Sequence, residues 1–180
     1  MLDIKKLMPY VTFGAVMLTL SVSFEAVASE RKLDSHAHGI SELKIAQEGS
    51  SFEFELEAPG NDIIGFEHAA KNAAQKAQIA AALKILGAPG QLFRTPAAAG
   101  CTISDAEAEF ETSDDHAGFH VHWSMTCANP GKMTMLEILY FDAFAAAEEI
   151  EVEAIGKAGQ SAIEVEKDMR QVYLTGAFGD

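Results

Sequence analysis

The sequence predicts an α+β fold: a mainly antiparallel β-sheet with one long helix and a single disulfide. Three observations carry that expectation. Segments of strict apolar–polar alternation recur along the chain, separated by glycine-bearing turns. One alanine-rich segment, Phe66 to Leu86, has helical rather than strand spacing. The two cysteines, Cys101 and Cys127, form an even pair behind an export signal, so a disulfide is the default. That bond would close a loop of about 26 residues and contribute roughly 3 kcal/mol on the loop-entropy account.

The export signal occupies residues 1–28. Lys5 and Lys6 give a positive start, Met8 to Phe24 is mostly apolar, and Ala26-Val27-Ala28 is a small-x-small cleavage box. The apolar run is short for a spanning helix, which needs about 20 residues. No cysteine follows the box, so no membrane anchor is expected after cleavage. Residues 29–180 then form one domain, long enough to bury a sizeable core. The whole chain has 13 basic and 27 acidic residues, a net charge of −14. Removing residues 1–28 leaves 11 basic and 25 acidic residues, and the same net charge. Such a surface repels nucleic acid and anionic membranes, and it gathers cations.

From Ser29 the elements read in order. A polar arm leads to His36-Ala37-His38-Gly39. Leu43 and Ile45 open a strand, Glu48 to Ser51 turns, and Phe52, Phe54, Leu56 and Ala58 alternate with Glu53, Glu55 and Glu57. That is a β-hairpin. Asn61 or Asp62 is placed to cap the helix, with Phe66, Ala69, Ala70, Ala73, Ala77, Ala80 and Leu83 as its apolar face, Ile79 and Leu86 beside it. Gly87 and Pro89 stop it. Ala106 to Glu111 alternates, and Thr112 to His116 connects. Phe119 to Cys127 is the clearest strand: Phe119, Val121, Trp123, Met125 and Cys127 share one face, His120, His122, Ser124 and Thr126 the other. Met133 to Phe141 reads as a strand covered on both sides, followed by a helical turn over Phe141 to Ala147. Ile150 to Ala154 and Ile163 to Val165 form strands around a turn at Gly156 to Gly159, and Val172-Tyr173-Leu174 closes the fold.

The chemistry concentrates in six histidines: His36, His38, His68, His116, His120 and His122. Four of them form two His-x-His pairs. On a strand, His120 and His122 would stand about 6.5 Å apart on one face, a spacing that suits two nitrogens converging on one metal ion. Neutral imidazole binds zinc, copper and nickel. The plain alternative is a solvated strand face. Asp114 and Asp115 offer oxygen ligands beside His116 or simply a solvated loop. His68, next to Glu67, reads as a ligand, a supporting partner or a polar-face residue. The glutamate rows read as solvated sheet faces. Met125, Met133 and Met135 would favour copper if they met the histidines, yet each falls at a core position. The chain carries no Gly-x-Ser-x-Gly, His-Glu-x-x-His or phosphate loop, so no enzyme is expected.

These motifs together resemble the ZrgA-like family. The resemblance rests on His36-Ala37-His38-Gly39 leading to Leu43-Lys44-Ile45, on Glu48-Gly49, Ala58-Pro59 and Gly65-Phe66-Glu67-His68, on Cys101 and the aromatic strand ending in Cys127, and on Gly159-Gln160. It implies a periplasmic zinc-binding accessory protein that buffers Zn²⁺ or delivers it to importer components. It also implies a long histidine-rich loop between the cysteines, and here that region shrinks to Glu111–Gly118 with His116 alone. That departure argues against high-capacity buffering and leaves open a specific site built from His36, His38, His120 and His122. The competing readings are a copper-binding protein and a metal-free interaction module with acidic strand faces.

Overall fold

The computed structural model describes residues 39–113 and 116–178. The signal segment, the polar arm with His36 and His38, and Asp114 and Asp115 lie outside the described residues. In chain order the elements are β1 (Ile40–Glu48), β2 (Ser51–Pro59), α1 (Gly60–Ile64), α2 (Ala73–Leu86), β3 (Phe93–Arg94), β4 (Cys101–Thr112), β5 (Ala117–Cys127), β6 (Met135–Ile138), α3 (Tyr140–Ala143), β7 (Glu149–Gly156), β8 (Gly159–Glu166), β9 (Gln171–Tyr173) and α4 (Thr175–Phe178).

The strands make two sheets, a six-stranded one in the order β4-β5-β2-β1-β7-β8 and a three-stranded one in the order β3-β6-β9. Every pairing is antiparallel except that of β1 with β7. Three pairs of consecutive strands form hairpins, the first of them expected. Gly49, at φ 61°, turns β1 into β2, where a side chain would strain the backbone. β4 also pairs antiparallel with β5, and β7 with β8.

Alternation then separates two faces of the large sheet. The inner face carries Leu43, Ile45, Phe54, Leu56, Val121, Trp123, Ile150 and Val152, all essentially buried. Trp123 is the centre of this layer. It stacks on Phe54 at 4.7 Å and 10°, and on Phe93 of the small sheet at 5.7 Å. Phe93 in turn stacks on Tyr140, whose hydroxyl shares a buried 2.9 Å hydrogen bond with Ser41. Burial pushes the Tyr140 hydroxyl far above its ordinary range, so it remains protonated. Cys101 and Cys127 are directly paired in the β4–β5 register and bonded, with Cα atoms 3.9 Å apart.

The expected long helix is not there. The helical pattern from Phe66 yields α2 alone, 14 residues from Ala73, and no other helix among the described residues exceeds five. Asn72 starts it, its Oδ1 accepting from the Gln75 N–H at 2.9 Å. A capping side chain of this kind competes with a continuing helix. The buried stripe is also rotated from the one expected. Ala82 and Leu86 are buried, Ile79 and Leu83 pack against the core, and Ala73, Ala77 and Ala80 face outward. Burying leucine or isoleucine gains roughly 1.5–3 kcal/mol against about 0.8 per methylene-sized group. The few large side chains therefore set the face, and the alanines supply only helix propensity. Asp62 does not cap α2: it is buried, and both its carboxylate oxygens accept the Gly39 N–H, at 3.0 and 2.9 Å. The strand expected over Met133–Phe141 contracts to β6, and the helical turn after it begins earlier, at Tyr140.

Candidate metal centre

The outer face of the large sheet is charged. Pairing registers align its side chains into rows that cross all six strands. One row is Glu109, His120, Glu57, Glu42, Glu151 and Glu164; the next is Glu107, His122, Glu55, Lys44, Glu153 and Ala162. His120 and His122 therefore stand among carboxylates. His120 Nε2 lies 2.9 Å from Glu55 Oε1, and His122 Nε2 lies 3.2 Å from Glu53 Oε2, which also accepts from the Ser124 hydroxyl. The hydrogen bond from His120 holds the Glu55 carboxyl below its usual range. Lys44 sits 3.5 Å from Glu42 and 3.4 Å from Glu57. Burial alone would lower its pKa; Glu57 and Glu42 outweigh that and raise it.

The two imidazoles differ in setting. His122 is the more open, with 47% of its side chain exposed against 35% for His120. His120 also lines a cleft of about 400 Å³ at the end of the sheet, with His116, Glu57, Glu67 and Glu111. The cleft exists because backbones meet there. A Cβ on Gly60 would lie 2.5 Å from the Phe66 carbonyl oxygen and 2.6 Å from that of Ala117. Only glycine lets the Phe66-Glu67-His68 segment rest against the start of β5, and this carries Glu67 to the cleft wall. β1 begins at the same end, since Pro59 opposes Gly118 and Glu57 opposes both His120 and Glu42. Gly39, held by Asp62, is the residue directly after His38.

The histidines expected to act together are thus divided. His116 and His120 share the cleft. His122 belongs to the neighbouring row. His68 stacks on Phe66 at 4.9 Å, with Nδ1 2.9 Å from the Ala69 carbonyl oxygen. His36 and His38 lie outside the described residues. Among the described residues no three His, Cys, Asp or Glu side chains are grouped so as to hold a metal ion by themselves. Met125 and Met133 are buried, Met125 on the inner face of β5, so neither thioether accompanies the histidines. Sequence reasoning overlooked Glu57, Glu67 and Glu111 as partners of the histidines. Glu57 and Glu111 read as members of solvated rows, and only the β2–β5 and β4–β5 registers bring them to the cleft. Glu67 did carry a signal, standing in Gly65-Phe66-Glu67-His68 between the end of α1 and the start of α2.

No helix among the described residues is long and apolar enough to cross a membrane. No curated protein matches the sequence. Residues 35–174 match the family described as ZrgA family zinc uptake protein, a span that contains the nine strands of the described residues. The chain belongs to that family.

Proposed function

We propose that this chain is a non-enzymatic periplasmic protein that binds Zn²⁺ as cargo in the cleft at the sheet end and delivers it to components of a metal importer. The observation that carries the reading is that His116 and His120 line one small cleft together with Glu57, Glu67 and Glu111, in a member of a zinc uptake family. Imidazole nitrogen and carboxylate oxygen are the ligand types zinc takes in four-coordinate sites, at about 2.0–2.2 Å. Glu55, on His120 Nε2, would serve as the carboxylate that orients a ligating imidazole. His38 and His36, entering the chain just before Gly39, would complete the ligand set. In this arrangement His122 and His68 support the site from outside rather than ligate.

The test is a zinc titration of the mature chain, from Ser29, against a competing chromophoric chelator. His116→Ala with His120→Ala should weaken zinc binding by about a hundredfold or more, as loss of ligands leaves the ion under-coordinated. His36→Ala with His38→Ala should do the same. Wild-type affinity in the His116/His120 variant would remove the cleft as the site. Retention of copper but not zinc against the same chelator would replace the metal.

A further inference from the structure

A second concavity, a groove of about 600 Å³, lies on the outer face of the large sheet, over β2, β1, β7 and β8 with His122 of β5 at its edge. Its floor arises from register. Ala46 stands opposite Ile155, and Ala162 opposite Glu153, so three short or apolar side chains interrupt the rows of long charged ones. Ile155 is 58% exposed, one of only three exposed large apolar residues among the described residues. Glu53 and Glu153 stand at the rim. The one lysine there, Lys44, has its ammonium drawn to Glu42 and Glu57 in the adjoining row.

We infer that this groove docks an extended segment of a partner protein in which lysine or arginine alternates with small apolar side chains. Charge complementarity selects the occupant. The surrounding face is dominated by carboxylates and the chain carries a net charge of −14, so a second copy would be repelled. An apolar floor between acidic rims matches a cationic side chain with an apolar stem, or an apolar residue flanked by cations. The carboxylate rows continue past the groove through Glu42 and Glu151, a footprint wider than a small molecule would cover and suited to steering a protein partner. The groove touches the proposed zinc site through Glu55 and His122, which line it, but the ligands His116 and His120 do not, and the residues tested below take no part in that site.

The experiment uses the mature chain in the presence of a zinc chelator and, as probe, a fluorescent synthetic peptide alternating lysine and alanine. Fluorescence anisotropy should show binding that weakens as salt is raised. Ile155→Ser should weaken it by about tenfold, through loss of apolar contact. Glu153→Gln should also weaken it clearly, whereas Glu164→Gln, which removes the same charge outside the groove, should change it by less than about twofold. Zinc affinity should be unchanged in all three. Equal losses for Glu153→Gln and Glu164→Gln with no effect of Ile155→Ser would overturn the groove, leaving diffuse charge attraction alone. No binding even at low salt would also overturn it. Displacement of the peptide by an equimolar small polyamine would reassign the groove to a small cation.

Discussion

On β5, Trp123 is fully buried between Phe54 and Phe93, while its neighbour His122 stands 47% exposed against Glu53. One backbone supports both, and the alternation of side chains sends each to a different environment. Inward, position is fixed by volume: rings stack, and a missing group leaves a hole. Outward, position is fixed by charge and register, with little volume to lose. Mutational damage should therefore separate cleanly by face. Inner changes should cost stability. Outer changes should cost binding.

The largest effect expected on that division is Trp123→Ala. It should cost about 3–5 kcal/mol in urea unfolding. Zinc affinity, measured where the variant remains folded, should stay near wild type. A zinc defect larger than the fraction unfolded would show that the inner layer also shapes the site. Gly60→Ala comes next and joins the two faces, because its Cβ would press on two carbonyl oxygens beneath the cleft. It should cost about 1–3 kcal/mol as overpacking, and it should weaken zinc as well. If stability falls and zinc does not, Glu67 is not part of the site.

On the outer face, His120→Ala with His122→Ala should leave urea stability within about 0.5 kcal/mol. A loss of several kcal/mol would mean that the pairs with Glu55 and Glu53 are structural, and would erase the contrast between faces. The smallest effect is electrostatic. Partial burial, then the carboxylates of Glu164, Glu151 and Glu166, push the Glu149 carboxyl above its ordinary value. The folded state therefore holds that proton more tightly than the unfolded chain. Stability from this group falls as pH rises from the unfolded value through the raised folded one. Glu149→Gln should raise the urea midpoint slightly at neutral pH and not at a pH below both values. A gain that persists in acid would point to packing rather than charge.

Legibility from sequence followed the same division. The inner face of β5 could be read directly, because burial of Phe119, Val121, Trp123 and Met125 imposes a period that sequence displays. The β1–β2 hairpin was equally plain, since glycine and alternation are local signals, whereas the polar connector over 112–116 gave no glycine to mark the turn from β4 into β5. α2 was misjudged because alanine scores as apolar yet gains little from burial, so the stripe drawn through Ala73, Ala77 and Ala80 had no weight behind it. The small sheet was half legible: the apolar run over Met133–Phe141 marked the place of β6, but β3, of two residues, is too short to show any period, and nothing local says that these strands pair. The cleft was hidden for another reason. His120 and Glu57 are 63 positions apart in sequence, and their adjacency is a fact of pairing between β2 and β5. Alternation predicts which way a residue points; it does not predict what stands opposite.

The single parallel pairing has a consequence in time. β1 is complete on one side as soon as β2 forms, but its other edge waits for β7, more than a hundred positions further along, where Ile40 meets Glu149. Contacts of such separation form late, because a long loop must close before they return any stabilisation. A chain emerging from its N-terminus could assemble β1, β2, β5 and β4 while the far edge of β1 stays bare. That edge alternates Leu43 and Ile45 with charged Glu42 and Lys44. Open backbone donors and acceptors beside leucine and isoleucine are a template for the wrong strand, and interspersed charge discourages such pairing. The glutamate and lysine of β1 thus guard an unfinished sheet before they become part of a finished surface.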